Sequence, residues 1–188
     1  MFPSSKNISR AAGALVLAAA LAGLAACSSP PTPPYRAAGS AYGIEYASFY
    51  WKTEKDFKRI SEFFTDEEDT GSDVVVRSDP AVRDGLYLIV NLECGARVPA
   101  GSVAELRYLH PERSGEQTQR WTLPEFRAAP QRELRLGLTG KTWEKKFSGK
   151  RPAAWKLSVV SPDGETLVLR RSFLWTEKAE TPAAAAER

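Results

Sequence analysis

The chain has 188 residues, 43% hydrophobic and 26% charged, with 13 Gly, 13 Pro, 2 Cys, one His and a formal net charge of +3. That is the length of one domain with ordinary globular composition, which excludes collagen, coiled coil and wholesale disorder. Two cysteines and one histidine exclude a disulfide framework and a Cys/His-rich metal site.

Residues 1–26 read as an export signal. Lys6 and Arg10 make a basic start, and Ala11 to Ala22 is an apolar run. The run is too short to span a bilayer comfortably, which takes about 20 residues, and no stop-transfer pattern follows it. The alternative, an uncleaved N-terminal anchor, would need that longer run. The segment closes on Leu24-Ala25-Ala26-Cys27, with small residues where a peptidase needs a narrow extended chain. This ending resembles the lipobox of bacterial lipoproteins and matches it at each position, over the first 27 residues only. The resemblance implies that Cys27 receives a thioether-linked diacylglyceryl group, becomes the mature N-terminus and is then N-acylated. Membrane lipid is therefore the first expected partner. A single myristoyl-length chain binds marginally, at about 0.8 kcal/mol per buried CH₂, so two or three chains hold a protein essentially permanently. Ser28 occupies the sorting position and is not Asp, which by the same resemblance implies the outer membrane of a diderm envelope. Loss of Lys6 and Arg10 with the signal takes the net charge from +3 to +1. Such near-neutrality leaves no electrostatic footprint for nucleic acid.

Residues 27–41 follow as the lipidated cysteine and a Pro/Ser/Ala-rich tether. Proline-rich chain prefers polyproline II at about 3.1 Å per residue, which lifts a domain away from headgroups. The domain is then 42–175, and residues 176–188, Ala- and charge-rich with no aromatic side chain, read as a disordered tail.

Within 42–175 the first ambiguous stretch is 53–64. Phe57, Ile60 and Phe64 fit helical spacing behind a Thr53/Asp56 capping box, whereas Ile60, Glu62 and Phe64 also alternate with Ser61 and Phe63. We favour a strand there. Asp66–Asp73 is an acidic loop. It lacks the closing Glu of an EF-hand, where Arg77 stands, and reads as solvated rather than as a Ca²⁺ site. Leu86, Leu88, Val90 and Leu92 then alternate at period two, as do Leu134, Leu136 and Leu138, and Trp155, Leu157 and Val159. Pro111–Gly115 and Ser161-Pro162-Asp163-Gly164 supply two hairpin turns, Pro presetting φ and Gly permitting positive φ. The pattern predicts an immunoglobulin-like antiparallel β-sandwich of about seven or more strands, with a small β-barrel as the alternative.

No chemistry-bearing constellation emerges. Cys94-Gly95-Ala96-Arg97 resembles the nucleophile region of L,D-transpeptidases, but no His-Gly or Ser-Gly precedes the cysteine, and His110 lies downstream of it. Cys94 therefore reads as a small apolar residue at a strand end, and His110 as a solvated residue at a hairpin tip. The mature chain has neither a Gly-x-Ser-x-Gly elbow nor a Ser-x-x-Lys pair. Trp155 and Trp175 read as core, and Trp143, among charges, as the most exposed tryptophan and a possible sugar platform. We expect Cys27 as a lipidation site, no catalytic or metal-ligating residue and no cofactor. The expected function is a non-catalytic envelope binding or assembly module with a protein or cell-wall partner. The alternatives are a cell-wall or glycan hydrolase, which would draw on Cys94, His110 and the Asp66–Asp69 acids, and a carbohydrate-binding lipoprotein.

Overall fold

The computed structural model describes residues 33–176, so Cys27, the start of the tether and the tail lie outside the described residues. The described residues form ten strands: β1 (Ile44–Lys52), β2 (Val74–Arg77), β3 (Gly85–Leu92), β4 (Arg97–Val98), β5 (Val103–Leu109), β6 (Glu116–Thr122), β7 (Phe126–Arg127), β8 (Leu134–Thr139), β9 (Trp155–Val160) and β10 (Thr166–Arg171). One sheet runs β1-β3-β8-β2 and the other β10-β9-β5-β6, while β4 and β7 pair in a short ribbon.

Immunoglobulin sandwiches set strands A, B, E and D against C, F and G. Here β1, β3 and β8 stand as A, B and E, and β5, β9 and β10 as C, F and G, with β6 continuing the second sheet. The expected all-β sandwich is therefore present, with one departure from antiparallel pairing. The fourth place of the first sheet is filled out of chain order by β2, drawn from the β1–β3 connection, and β2 is parallel to β8. Both β1 and β8 oppose β3, and β2 returns after a 21-residue crossover running as they do. Parallel pairs require such long connections.

The alternation seen in the sequence becomes the interlayer core. Leu86, Leu88, Val90, Leu134, Leu136 and Leu138 from the first sheet pack with Ala104, Leu106, Tyr108, Leu157 and Val159 from the second, all essentially solvent-free. Both turns are where the sequence puts them, with Gly115 at φ +77° and Gly164 at φ +84°.

β3 is buried on its outer face too, because Tyr87 and Ile89 pack with Phe57 and Val75. The cover comes from residues 53–65, which are two helical turns, α1 (Glu54–Phe57) and α2 (Glu62–Thr65), and not the expected strand. The capping box decides it: Thr53 N–H donates to the Asp56 carboxylate at 2.7 Å, satisfying a backbone donor that a strand would have sent to a neighbour. Further upstream, Tyr35 bridges to Ile44, Arg36 pairs with Glu93, and the Ala41 and Tyr42 amides donate to Thr166 and Leu167 of β10. The last part of the Pro/Ser/Ala-rich stretch thus lies against the sandwich. Among the described residues, no helix is long and apolar enough to cross a membrane.

Candidate binding surface

The residues weighed for chemistry are kept apart. Cys94 is exposed in the turn after β3. His110 is 16 chain positions away in the core, 4.5 Å from Trp143 and 4.9 Å from Phe147 between ring centres. His110 is therefore buried, not solvated as its place before Pro111 implied. Trp143 is likewise buried, contrary to expectation; its indole N–H donates to the Phe147 carbonyl at 3.1 Å, which lets an aromatic flanked by charges enter the core. Trp155 is half-buried, edge-on to Phe49, and Trp175 is buried.

The acidic loop is engaged with arginines rather than simply solvated. Glu68 takes both Arg77 Nη atoms at 2.8 and 2.5 Å, and Asp73 takes Arg135 at 2.8 Å. Asp69 accepts from Ser61 Oγ at 2.5 Å and from the Gly71 amide at 2.8 Å. The hydrogen bonds from Arg77 to Glu68 and from Ser61 to Asp69 hold both carboxyls below the usual range. Among the described residues no group of three or more His, Cys, Asp or Glu side chains is placed to share a metal ion.

What these interactions build is a base for α2. Glu62 points inward and is buried, accepting from Arg83 Nη1 at 2.7 Å and from the Arg59 and Asp69 amides at 3.3 Å each. Its carboxyl is held below the ordinary range chiefly by that Arg83 hydrogen bond. Arg77 Nε donates to the Tyr87 hydroxyl at 2.7 Å, and that hydroxyl donates to the Arg83 carbonyl at 2.8 Å, joining the base to β3.

The apolar side chains of the same turn face water. Ile60 is 78% exposed, Phe63 71% and Phe64 83%. The usual preference is inverted: a carboxylate is inside and two phenyl rings are outside. Lys58 Nζ, 4.9 Å from the Phe63 ring centre, edges this knuckle. The i, i+3, i+4 spacing of Ile60, Phe63 and Phe64 is visible in the sequence, but the Glu62–Arg83 pair, which spans 21 residues and anchors the opposite side of the turn, is not.

Two other surfaces are open. Tyr46 and Tyr50 stack on the outer side of β1 at 6.5 Å between ring centres, with their hydroxyls in contact and Arg151 over Tyr50. Among the described residues β6 pairs only with β5, and its outer edge, seven residues without Pro or Lys, has no strand partner there. Comparison with family models, curated proteins and solved structures finds no match to the chain.

Proposed function

We propose that this is a lipid-anchored envelope lipoprotein, held through acylated Cys27 in the outer membrane, whose sandwich works as a binding or assembly module without catalysis. The observation that carries the reading is the inverted α2 turn. Exposing Ile60, Phe63 and Phe64 together forgoes the burial that each would gain in the core, about 1.5–3 kcal/mol for a large apolar side chain. An ion pair between buried Glu62 and half-buried Arg83 nevertheless holds the turn with them outward. Contiguous exposed apolar side chains rimmed by polar residues mark interaction surfaces. The free edge of β6 offers a second means of attachment, by strand addition.

Crosslinking in intact cells tests this reading. The wild-type chain should capture a reproducible envelope partner, and a Phe63→Ser/Phe64→Ser variant should lose it while reaching the same abundance. Labelled palmitate should enter the wild type and not Cys27→Ala. Capture that is indifferent to the phenylalanines removes the knuckle from the reading, and equal label in both chains removes the anchor.

A second reading, carbohydrate binding, draws on the Tyr46–Tyr50 stack, since paired exposed rings offer a platform for sugar faces. Peptidoglycan retention that falls with Tyr46→Ala/Tyr50→Ala and survives the phenylalanine changes favours it over the first.

A further inference from the structure

The β4–β7 ribbon carries an arrangement that its own stability does not explain. Gly95 N–H donates to the Ala128 carbonyl at 3.0 Å and Ala128 N–H to the Ala96 carbonyl at 2.8 Å, so two residues oppose one in a bulge. The next pair is Arg97 against Arg127. Alternation of the ladder makes this a non-hydrogen-bonded pair, where the Cα atoms stand about 4.5 Å apart and side chains are closest. Ala96, Val98, Phe126 and Ala128 are all buried, which sends both arginines to the solvent face. Like charges directly opposite each other destabilise a strand pair.

Among the described residues no carboxylate relieves them. Glu125 stands in the same cleft but pairs with neither, and among the described residues neither guanidinium has an ion-pair partner. Arg132 brings a third guanidinium: its Nη1 donates to the Arg127 carbonyl at 3.1 Å, while its Nε is buried with no hydrogen-bond partner. The arginine pair, with Pro99, Ala100 and Glu125, lines an open cleft of about 600 Å³. That is within the range of roughly 300–1,000 Å³ usual for small-ligand sites.

We propose that Arg97 and Arg127 form a phosphoryl-binding site, a dianionic phosphate being seated between the two guanidinium forks. A phosphate monoester balances both charges and offers three terminal oxygens to two forks. A carboxylate supplies one charge and two oxygens, which one fork already saturates. Pro99 and Ala100 add no charge to the rim, and Glu125, which pairs with neither arginine, is the one carboxylate among its lining residues. The proposal is independent of both the α2 surface and Cys27.

Thermal unfolding of the full chain in detergent, with inorganic phosphate replacing chloride at constant ionic strength, tests it. Phosphate at millimolar concentration should raise Tm above the chloride value, since a ligand that binds only the folded state stabilises by mass action. Arg97→Gln and Arg127→Gln should each weaken that response about tenfold, on the scale of one lost charge-assisted pair, and the double variant should abolish it. In chloride alone the variants should be at least as stable as the wild type, because the opposed charges are gone; this separates a lost site from a damaged fold. Glycerol 3-phosphate and dihexanoyl phosphatidic acid present the same group from a soluble and a lipid source, and the tighter of the two identifies which source the cleft accepts. An equal response to acetate, a response to phosphate no larger than to chloride, or variants that keep the wild-type response overturn the proposal.

Discussion

His110 is kept neutral by what surrounds it. Its ring lies against Trp143 and Phe147, and the Glu112 amide donates to Nδ1 at 3.1 Å, a bond that an imidazolium could not accept. Burial, more than the positive charges of Arg113 and Lys150, pushes its pKa below the ordinary 6.5, against the opposing pull of Glu112 and Glu144. The unfolded chain therefore takes up the proton at a higher pH than the folded chain does. The stability associated with the neutral ring is complete above about pH 6.5 and is lost as pH falls from there towards the folded pKa. His110→Gln keeps an acceptor and removes the titration. Denaturant unfolding between about pH 7.5 and 5.5 should show a falling stability for the wild type and a flatter profile for the variant, the two curves converging at the acid end. Parallel curves would mean that the ring titrates alike in both states. The carboxylates of Glu62 and Glu68, lowered by their arginine bonds, act in the same sense but at lower pH, below their usual 4.5.

At the scale of elements, β3 and β8 show both what a sequence discloses and what it conceals. Gly137 interrupts the leucines of β8 and pairs with Tyr87 of β3. A Cβ there would stand 2.6 Å from the Tyr87 ring, so the glycine is the floor on which the tyrosine lies. Gly137→Ala should lift that ring from its bonds with Arg77 and the Arg83 carbonyl, costing about 1–3 kcal/mol by overpacking. The loss would be read from denaturant midpoints with an unchanged slope. A change within about 0.5 kcal/mol would show that the sheet yields instead. Period-two alternation made β3, β8 and β9 legible because one face of each meets the interlayer core, and the Pro/Gly turns fixed two hairpins, which placed β5 and β10. The helical turns of 53–65 were less legible: four-residue elements carry too few periods to separate 3.6 from 2, and the capping box was the sounder signal. The burial of His110 depends on Trp143 and Phe147, more than 30 residues further along the chain, contacts that no local window contains. The candidate surface was hidden for the same reason, since Phe63 and Phe64 look like core until Arg83 is seen to claim Glu62.

Across the whole molecule, two kinds of cohesion are set side by side. The sandwich is held by a continuous apolar core shared between the sheets. The β1–β3 connection is held over the outer face by Phe57 against Tyr87 and Ile89, and by ion pairs among Glu62, Glu68, Arg77 and Arg83. Regions with few buried apolar contacts open locally before the global transition. Amides of residues 54–73 should therefore exchange through local opening, while those of β3, β5, β8 and β9 exchange only through global unfolding. Glu62→Ala removes the central carboxylate and leaves Arg83 without its closest partner, at 2.7 Å. Native-state hydrogen exchange on that variant should quicken severalfold in 54–73 and leave the sandwich amides unchanged. The result bears on function, because an element that opens on its own can reorient Ile60, Phe63 and Phe64 towards a partner without disturbing the β4–β7 cleft or the edge of β6. Equal acceleration in the sandwich amides would make the connection part of one cooperative unit, and the knuckle a rigid feature instead.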